Sequence, residues 1–457
     1  MFIADLVEVT DRPVRLLDPG AGVGSLTAAV VDRWGRHGGG DIVATLVEAD
    51  ENLLGALVDT TRDLAKAHSF VGEVVGGDFI EWGSNWLTGF GVLDAPKFDL
   101  VIMNPPYRKI HSESAERGLL SAAGIEAPNL YAGFVALAAE LLDDGGQLVA
   151  IIPRSFANGP YFRRFRKRLL EVIGLDRIHV FDARHLAFSD TGVLQENVII
   201  SGRRGVASRG VVVSSSRSAL HDVTSRRVNY DEVVRPDDAE SFVHIAVDDA
   251  AAEVARRILG MPFRLVDLGI EVSTGPVVDF RQRDYLRSEP GPDTVPLVYP
   301  LHLRAGRVLW PKIGGRKANA IVRCEATQRL LFPASTYVVV KRFTSKEERR
   351  RIVASLVDPV DLPGPMFAFE NHVNVFHAGG SGLSTELARG LVAYLNTTAV
   401  DSFFRQFNGH TQVNATDLRS LRYPSGEELA DLGALVEPGA DQEKVDEMAA
   451  VAVVSLR

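Results

Sequence analysis

Cysteine is almost absent from this chain of 457 residues, and Cys324 is its single example. One cysteine excludes an internal disulfide framework and a cysteine-rich zinc site, and it is typical of a reducing cytosol. Long apolar runs are also absent, since no stretch reaches the roughly 18 uninterrupted residues of a membrane-spanning helix. The first residues lack the basic start of an export signal. We therefore expect a cytoplasmic protein that binds no membrane and no metal.

An excess of positive charge is absent as well. The chain has 50 Lys and Arg against 59 Asp and Glu, a formal net charge of −9. Any binding of nucleic acid must therefore use local basic patches. The length exceeds a single typical core, so we expect two domains. The boundary is predicted in the glycine-, serine- and arginine-rich residues 202–210, which gives domains of residues 1–203 and 204–457.

Apolar strands alternate with helical segments up to about residue 200. Helices are predicted at residues 25–34, 129–142 and 161–170, and seven strands at residues 14–18, 42–47, 71–75, 100–103, 147–152, 177–181 and 197–201. This alternation predicts a doubly wound α/β sheet. Seven strands whose last two close as a hairpin suit the Rossmann-like sheet of class I methyltransferases, by analogy of fold.

A glycine-rich segment, residues 18–24, lies between the first strand and its helix. Such a turn lets a ligand approach the backbone at a helix N-terminus, although similar turns serve NAD enzymes or only pack a helix on a strand. Asp18, Glu48 and Asp78 stand at the carboxyl ends of three successive strands. Each alone is more often structural than functional, Glu48 as a solvated strand end and Asp78 as a turn residue. Because the ends of parallel strands meet in one crevice, together they predict a site that receives ribose hydroxyls and an adenine amine.

Asn104, Pro105, Pro106 and Tyr107 directly follow the apolar run at residues 98–103. The two prolines fix φ near about −65° and remove two backbone N–H donors. The turn then offers the Asn104 amide oxygen, the Pro105 carbonyl and the aromatic face of Tyr107. These groups hold a planar amine, so the turn predicts a site for the NH2 group of a purine or of an amide.

With these motifs the chain resembles the gamma-class N6-adenine DNA methyltransferases, in which the cofactor motif precedes the catalytic motif. The resemblance implies S-adenosylmethionine as cofactor, with Glu48 on its ribose, Asp78 on its adenine N6 and Phe79 stacked beside the ring. The remaining residues implied in cofactor binding are Asp18, Pro19, Gly20, Ala21 and Gly22. In that family a further helix precedes the first strand. Only residues 1–6 stand there in this chain, so we expect an upstream start or weaker cofactor binding.

The same resemblance assigns residues 104–107 as the catalytic loop for an adenine flipped out of duplex DNA. Tyr107 would stack on one side of that base. Phe188 would stack on the other, with Phe181 as the alternative.

The second half resembles type II modification enzymes that accompany restriction endonucleases, including the PstI/BsuBI kind. The resemblance lies in residues 272–281, 340–350 and 408–417. It implies a catalytic domain at residues 1–203 and a mixed α+β target-recognition domain at residues 204–457 that binds double-stranded DNA. A restriction endonuclease is expected as a separate chain, and the protein itself as a monomer.

Two basic clusters and one polar segment are candidates for contact with DNA. The clusters lie in the helix at residues 161–170 and at residues 341–351, and each can also be a solvated helix face. Polar side chains alternate within residues 408–417 and can contact backbone or bases. The candidates are Arg163, Arg164, Arg166, Lys341, Arg342, Lys346, Arg349, Arg350, His410, Gln412 and Asn414.

Other activities fit the same catalytic motif. Asn-Pro-Pro-Tyr also occurs in methyltransferases that act on RNA or on a protein glutamine, although those proteins are usually shorter. Cytosine-N4 methylation is the closer chemical rival, although a serine at the position of Asn104 is more usual there. A catalytically silent DNA-binding protein is the alternative from a different class, and measurable cofactor affinity would count against it.

Overall fold

The computed structural model describes residues 2–88, 96–111, 113–181, 196–216, 223–345, 347–409 and 411–456. The chain divides into two compact units, Met1–Asp248 and Asp249–Arg457. In the described residues, no helix is long and apolar enough to cross a membrane. Nor do these residues contain a group of three or more His, Cys, Asp or Glu side chains that could hold a metal ion.

The first unit is built on a nine-stranded sheet with the order β3-β2-β1-β4-β5-β7-β6-β8-β9. Its strands are β1 Val14–Pro19, β2 Ile42–Glu48, β3 Phe70–Gly76, β4 Phe98–Met103, β5 Leu142–Pro153, β6 Ile173–Phe181, β7 Asn197–Arg204, β8 Gly210–Ser216 and β9 Thr224–Asn229. Strands β1 to β5 pair in parallel, whereas β7 lies antiparallel between β5 and β6. The strand order therefore reverses at β1 and β4, where β1 leads to β2 on one side and β4 to β5 on the other.

Helices cover both faces of this sheet. They are α1 Phe2–Asp5, α2 Ser25–Arg36, α3 Glu51–Ala67, α4 Phe79–Thr88, α5 Ala115–Ala122, α6 Leu130–Leu141, α7 Arg163–Val172 and α8 Tyr230–Val233. Leu16 packs in one core with α1, α2 and α3, while its neighbour Leu17 packs in another with α4, α6 and α7. This alternation along β1 follows from the two-residue period of a strand. Helix α6 is almost wholly apolar and buried, so it forms the centre of the second core.

Seven strands were predicted, and all seven are present, but two more extend the sheet. Strand β8 pairs in parallel with β6, and β9 pairs antiparallel with β8. Residues 202–210, predicted to contain the domain boundary, include the end of β7 and the turn into β8, where Gly205 takes a φ of 65°. The compact unit consequently extends to Asp248 instead of ending at residue 203.

The second unit is mixed α+β. Its six-stranded sheet has the order β10-β20-β17-β18-β14-β13, and its five-stranded sheet the order β11-β15-β12-β19-β16. The strands are β10 Glu271–Thr274, β11 Leu286–Arg287, β12 Thr294–Val298, β13 Leu303–Arg304, β14 Arg307–Val308, β15 Ala320–Val322, β16 Leu331–Pro333, β17 Tyr337–Lys341, β18 Ala354–Val357, β19 Met366–Phe369 and β20 Val373–His377. The helices are α9 Asp249–Leu259, α10 Thr385–Leu395, α11 Thr398–Phe407, α12 Ala415–Ser420, α13 Gly426–Leu435 and α14 Gln442–Ala452.

Candidate active site

The glycine loop turns over the end of β2. The backbone N–H groups of Gly20 and Ala21 both donate to the Val47 carbonyl, at 2.8 and 3.1 Å. Gly20 and Gly22 have φ values of 74° and 59°, in the left-handed region that favours glycine. A side chain at Gly22 would meet no atom within 4 Å, so the backbone of the loop is open on that side. A ligand can approach it closely.

Asp18 lies buried beneath this loop, with 1% of its surface exposed. The Thr27 hydroxyl of α2 donates to its carboxylate at 2.6 Å, which joins the end of β1 to the following helix. Burial raises the pKa of Asp18 to about 7, the nearby charge of Glu48 adds to the rise, and the bond from Thr27 opposes it. The observed contacts of Asp18 position the loop.

Glu48 ties the loop to the start of α3. Its Oε2 accepts the Gly22 N–H at 2.7 Å, and its Oε1 accepts the Asp50 N–H at 2.8 Å. A carboxylate has about four lone-pair sites, so each oxygen can accept one more donor. Glu48 can therefore receive two hydroxyl groups without breaking either backbone bond.

Asp78 lies on the adjacent edge, since Glu48 at the end of β2 pairs with Gly76 at the end of β3. Its Oδ1 accepts the N–H groups of Ile80 and Glu81 at 2.7 and 3.2 Å and so caps α4. Within the described residues, its Oδ2 has no hydrogen-bond partner. One carboxylate oxygen is therefore available to accept an amine hydrogen.

Phe79, predicted to stack on the cofactor, is only 2% exposed. Its ring packs against Phe134 of α6 with a centroid distance of 4.9 Å. The structure thus places this ring in the core beneath the crevice, and its role in stacking remains a prediction.

The segment 104–107 follows β4, whose end lies beside the end of β1 at the point where the strand order reverses. Ligands of open α/β sheets bind at such a switch point. Asn104 is exposed there, whereas Pro105 is buried. The Tyr107 hydroxyl donates to Asn104 Oδ1 at 3.1 Å, so the acceptor oxygen is already oriented. Burial raises the pKa of Tyr107, which keeps its phenol protonated and able to donate.

An aromatic cluster behind this loop was not predicted. Tyr131 of α6 meets the Tyr107 ring edge-on at 6.1 Å and stacks on Phe162 at 5.6 Å. The Leu130 N–H donates to the Arg108 carbonyl at 3.0 Å, which ties the end of the loop to the start of α6. Asn129 caps that helix by accepting the Ala132 N–H at 3.1 Å. An asparagine cap followed by an apolar run was the available sequence signal for this support.

The basic helix α7 has one exposed and one buried side. Arg163 and Arg164 are exposed and form ion pairs with Glu240 and Glu126. Arg166 is 0% exposed, so its prediction as a DNA contact is wrong. It follows Phe162 by four positions on the buried stripe of the helix, and its guanidinium donates to four backbone carbonyls, those of Phe156, Gly159, Glu240 and Ser241.

In the second unit, several predicted DNA contacts have structural partners. Lys341 pairs with Glu348 at 2.8 Å, and Arg342 donates to the Asn371 carbonyl at 3.0 Å. Arg350 is half-buried and donates to Gln442 and to the Thr397 carbonyl. Arg349 is exposed.

The polar segment of the second unit contributes a helix cap. Asn414 precedes α12 and forms a reciprocal cap with Asp417, whose carboxylate accepts the Asn414 N–H at 2.9 Å. Gln412 is half-buried, and its carbonyl accepts a bond from the Asn408 side chain at 3.0 Å. The cap gives the Asn414 side chain a structural role, whereas the bond to Gln412 uses only its backbone. Contact of either residue with DNA remains a prediction.

Phe188, Lys346 and His410 lie outside the described residues. Phe181, the alternative to Phe188, is 7% exposed at the end of β6.

Comparison with known proteins gives similarity over nearly the whole chain. Residues 63–188 match the family described as Eco57I restriction-modification methylase. The type II methyltransferase M.PstI of Providencia stuartii is 44% identical over 456 residues, which cover 98% of this chain and 89% of that protein. The type II methyltransferase M.BsuBI of Bacillus subtilis is 45% identical over 426 residues, which cover 92% and 85%.

Among solved structures, the type IIL restriction-modification enzyme MmeI in complex with DNA aligns with 100% of this chain and 69% of its own. The TM-score is 0.53 and the sequence identity 11%, so this similarity concerns the fold.

Proposed function

Because the chain belongs to the type II methyltransferases of restriction–modification systems and has the class I methyltransferase fold, we propose that it methylates adenine N6 in duplex DNA. The observation that carries the proposal is the position of Asn104. Its oriented amide oxygen stands at the switch point of the sheet, at the same edge as the open glycine loop, Glu48 and Asp78.

The crevice fits S-adenosylmethionine, which supplies an electrophilic methyl group when bound. The spare lone pairs of Glu48 suit the two ribose hydroxyls, and the available oxygen of Asp78 suits an adenine amine. The open backbone at Gly22 leaves room for a close approach. The same residues would not suit a phosphate group, because two of them are carboxylates.

The chain's own chemistry is the activation of an amine. The lone pair of adenine N6 is delocalised into the ring, and an acceptor for each of its hydrogens localises that pair on nitrogen. Asn104 Oδ1 and the Pro105 carbonyl are the two acceptors. Tyr107 holds Asn104 in place by its hydroxyl bond, and Tyr131 in turn packs against the Tyr107 ring. Catalysis then rests on orientation and a fixed electrostatic environment.

The target adenine must leave the base stack to reach this loop, as in other enzymes that act on a base. We propose Tyr107 and Phe188 as the rings on its two sides. Arg163 and Arg164, exposed on α7, are the proposed phosphate contacts of the first unit. We also propose that the chain acts as a monomer, with any restriction endonuclease on a separate chain.

The test is incubation of the purified chain with methyl-labelled S-adenosylmethionine and mixed-sequence duplex DNA, followed by digestion to nucleosides. We expect label in N6-methyldeoxyadenosine. Asn104→Ala should lower the rate by about 10²- to 10³-fold with cofactor affinity retained, since removal of one oriented polar group at a reacting centre has that cost. Asn85→Ala, at an exposed asparagine of α4, is the matched control and should leave the rate unchanged.

Each other outcome would overturn a stated part of the proposal. Label in N4-methylcytosine would retain DNA methylation and reject adenine. Cofactor binding without label in DNA would reject DNA as the substrate, and assays on RNA and protein would follow.

A further inference from the structure

Two of the three segments of the second unit that the sequence singled out meet at one turn, and the third is bonded to one of those two. Residues 370–372 connect β19 to β20, and the Asn371 N–H donates to the Val277 carbonyl at 2.9 Å. The Arg342 N–H donates to the His372 carbonyl at 2.9 Å, and the Val413 N–H donates to the Arg342 carbonyl at 2.7 Å. Residues 272–281 and 340–350 are thereby joined through a turn that neither contains, and residues 408–417 are bonded to residues 340–350 at Arg342.

This turn lies among exposed aromatic rings. Phe280 is 66% exposed and Phe343 is 37% exposed. The guanidinium of Arg281 lies 5.5 Å from the Phe280 ring centroid, and that of Arg342 lies 5.7 Å from that of Phe343. We call Phe280, Arg281, Arg342, Phe343 and His372 the aromatic face.

His372 links the Phe280–Arg281 pair of the aromatic face to the Arg342–Phe343 pair. Its ring centroid lies 5.0 Å from that of Phe343, and it lines a depression of about 400 Å³ together with Phe280. The same depression is lined by Asp279, Arg283 and Lys317. Lys317 forms an ion pair with Asp279 at 2.5 Å.

A buried carboxylate fixes the orientation of His372. Glu370 is 0% exposed, and its two oxygens lie 2.5 Å from His372 Nδ1 and 2.9 Å from the His372 backbone nitrogen. A buried carboxylate is costly unless it is fully bonded, so its presence beneath an exposed ring requires an explanation. The Glu370 carboxylate holds Nδ1 of the His372 ring in a hydrogen bond, and this bond sets whether Nε2 acts as a donor or an acceptor. In the described part of the chain, Nε2 has no partner, and the His372 side chain is 46% exposed.

We propose that the aromatic face reads base edges of duplex DNA, with His372 Nε2 as a base contact and Glu370 as its positioning residue. The inference rests on the proposed function, because it names where that enzyme selects its sequence. An oriented imidazole matches the acceptors or donors that bases present in the major groove, and exposed rings match the thymine methyl group. Phosphate contact alone would need neither the buried carboxylate nor the rings.

The first experiment selects duplexes from a randomised pool by binding to the full chain, which requires no methyl transfer. His372→Ala should reduce discrimination at one base-pair position by about 10- to 100-fold, the range for loss of a base-edge contact. His372→Gln and Glu370→Gln should reduce it less. His68→Gln is the matched control, since His68 also faces a carboxylate, Asp32 at 2.8 Å, but before the amino end of β3 in the first unit.

Cofactor affinity and thermal unfolding of each variant, measured in parallel, establish that the variants are folded. The inference is overturned if His372→Ala retains wild-type discrimination at every position, or if it weakens all sequences equally with a lower salt dependence, as a phosphate contact would. A wild-type chain that selects no sequence also overturns it. If the wild-type chain selects a sequence and His372→Ala loses discrimination at one position, but no methyl group is transferred, the proposed function is contradicted and the aromatic face is supported.

Discussion

Asp18 is a buried carboxyl group beneath the glycine loop, and its protonation state couples folding stability to pH. Its carboxyl has a raised pKa because burial disfavours the charged form, and Thr27 donates a hydrogen bond to it. In the unfolded chain the same group titrates near its ordinary value of 3.8. Between that value and about 7 the native state retains a proton that the unfolded chain releases.

We therefore expect Asp18 to make stability depend on pH with a definite sign. Its contribution is fully present below the unfolded pKa and is lost as pH rises toward about 7. Asp18→Asn keeps a neutral acceptor for Thr27 and does not titrate. The free energy of unfolding of Asp18→Asn, relative to wild type, should rise by roughly 1 kcal/mol per pH unit between about pH 5 and 7 and then level off. Calorimetric unfolding at several pH values measures this difference, and parallel pH profiles would contradict it.

Individual residues of the site were predictable where they follow strand ends. Asp18, Glu48, Asp78 and Asn104 could be located because apolar runs end just before them, and the topology brings strand ends together. Arg166 was misassigned because a charge run in a sequence does not show which side of its helix is buried. The apolar positions Phe162, Phe165 and Leu169 on the same stripe were the overlooked signal.

At the scale of the element, α7 combines support for the fold with a proposed DNA contact. Its buried side carries Arg166, which connects residues 156–159 to residues 240–241 through backbone carbonyls. Its exposed side carries Arg163 and Arg164.

Substitution of the two sides should separate these roles. Arg166→Met removes the donor to four carbonyls and should lower the free energy of unfolding by about 3 kcal/mol. Arg164→Met loses only an exposed ion pair and should leave the free energy of unfolding nearly unchanged. Arg164→Met should instead weaken duplex binding for all sequences and reduce the salt slope by about 1. Denaturant unfolding and salt titrations measure both, and equal destabilisation by the two variants would argue against this division.

The strands of the first sheet could be predicted from the sequence wherever an apolar pattern marks them. The seven strands β1 to β7 are apolar runs bounded by turn residues, which is the signal that sequence patterns carry. Strand β9, with the sequence TSRRVN, has only one buried residue, so no apolar pattern marks it. The turn at residues 370–372 was missed for another reason: its importance comes from pairing with three distant segments.

At the scale of the whole molecule, the chain divides after Asp248 into two compact units. Residues 205–248 supply β8 and β9, two of the four carbonyls to which Arg166 donates, those of Glu240 and Ser241, and the Val243 N–H bond to the Ala157 carbonyl at 2.9 Å. A first domain that ended at residue 203 would lack all of these contacts.

We expect a fragment of residues 1–248 to unfold cooperatively and to bind S-adenosylmethionine. A fragment of residues 1–203 should not, because β6 would expose an unpaired edge and Arg166 would lose carbonyl partners. Expression of both fragments, thermal unfolding and calorimetric cofactor binding measure the difference. Equal stability of the two fragments would contradict the role of residues 205–248.

The position of β7 between β5 and β6 has a consequence for synthesis on the ribosome. Strand β6 leaves the ribosome before β7, yet β7 is the neighbour of both β5 and β6. The edge of the strongly apolar β5 that pairs with β7 therefore stays unpaired until residue 204 has left the ribosome. Early pairing of β6 with that edge would have to be undone for β7 to insert. Nascent chains of this length present an open, apolar strand edge to the cell, which is the kind of surface that chaperones protect.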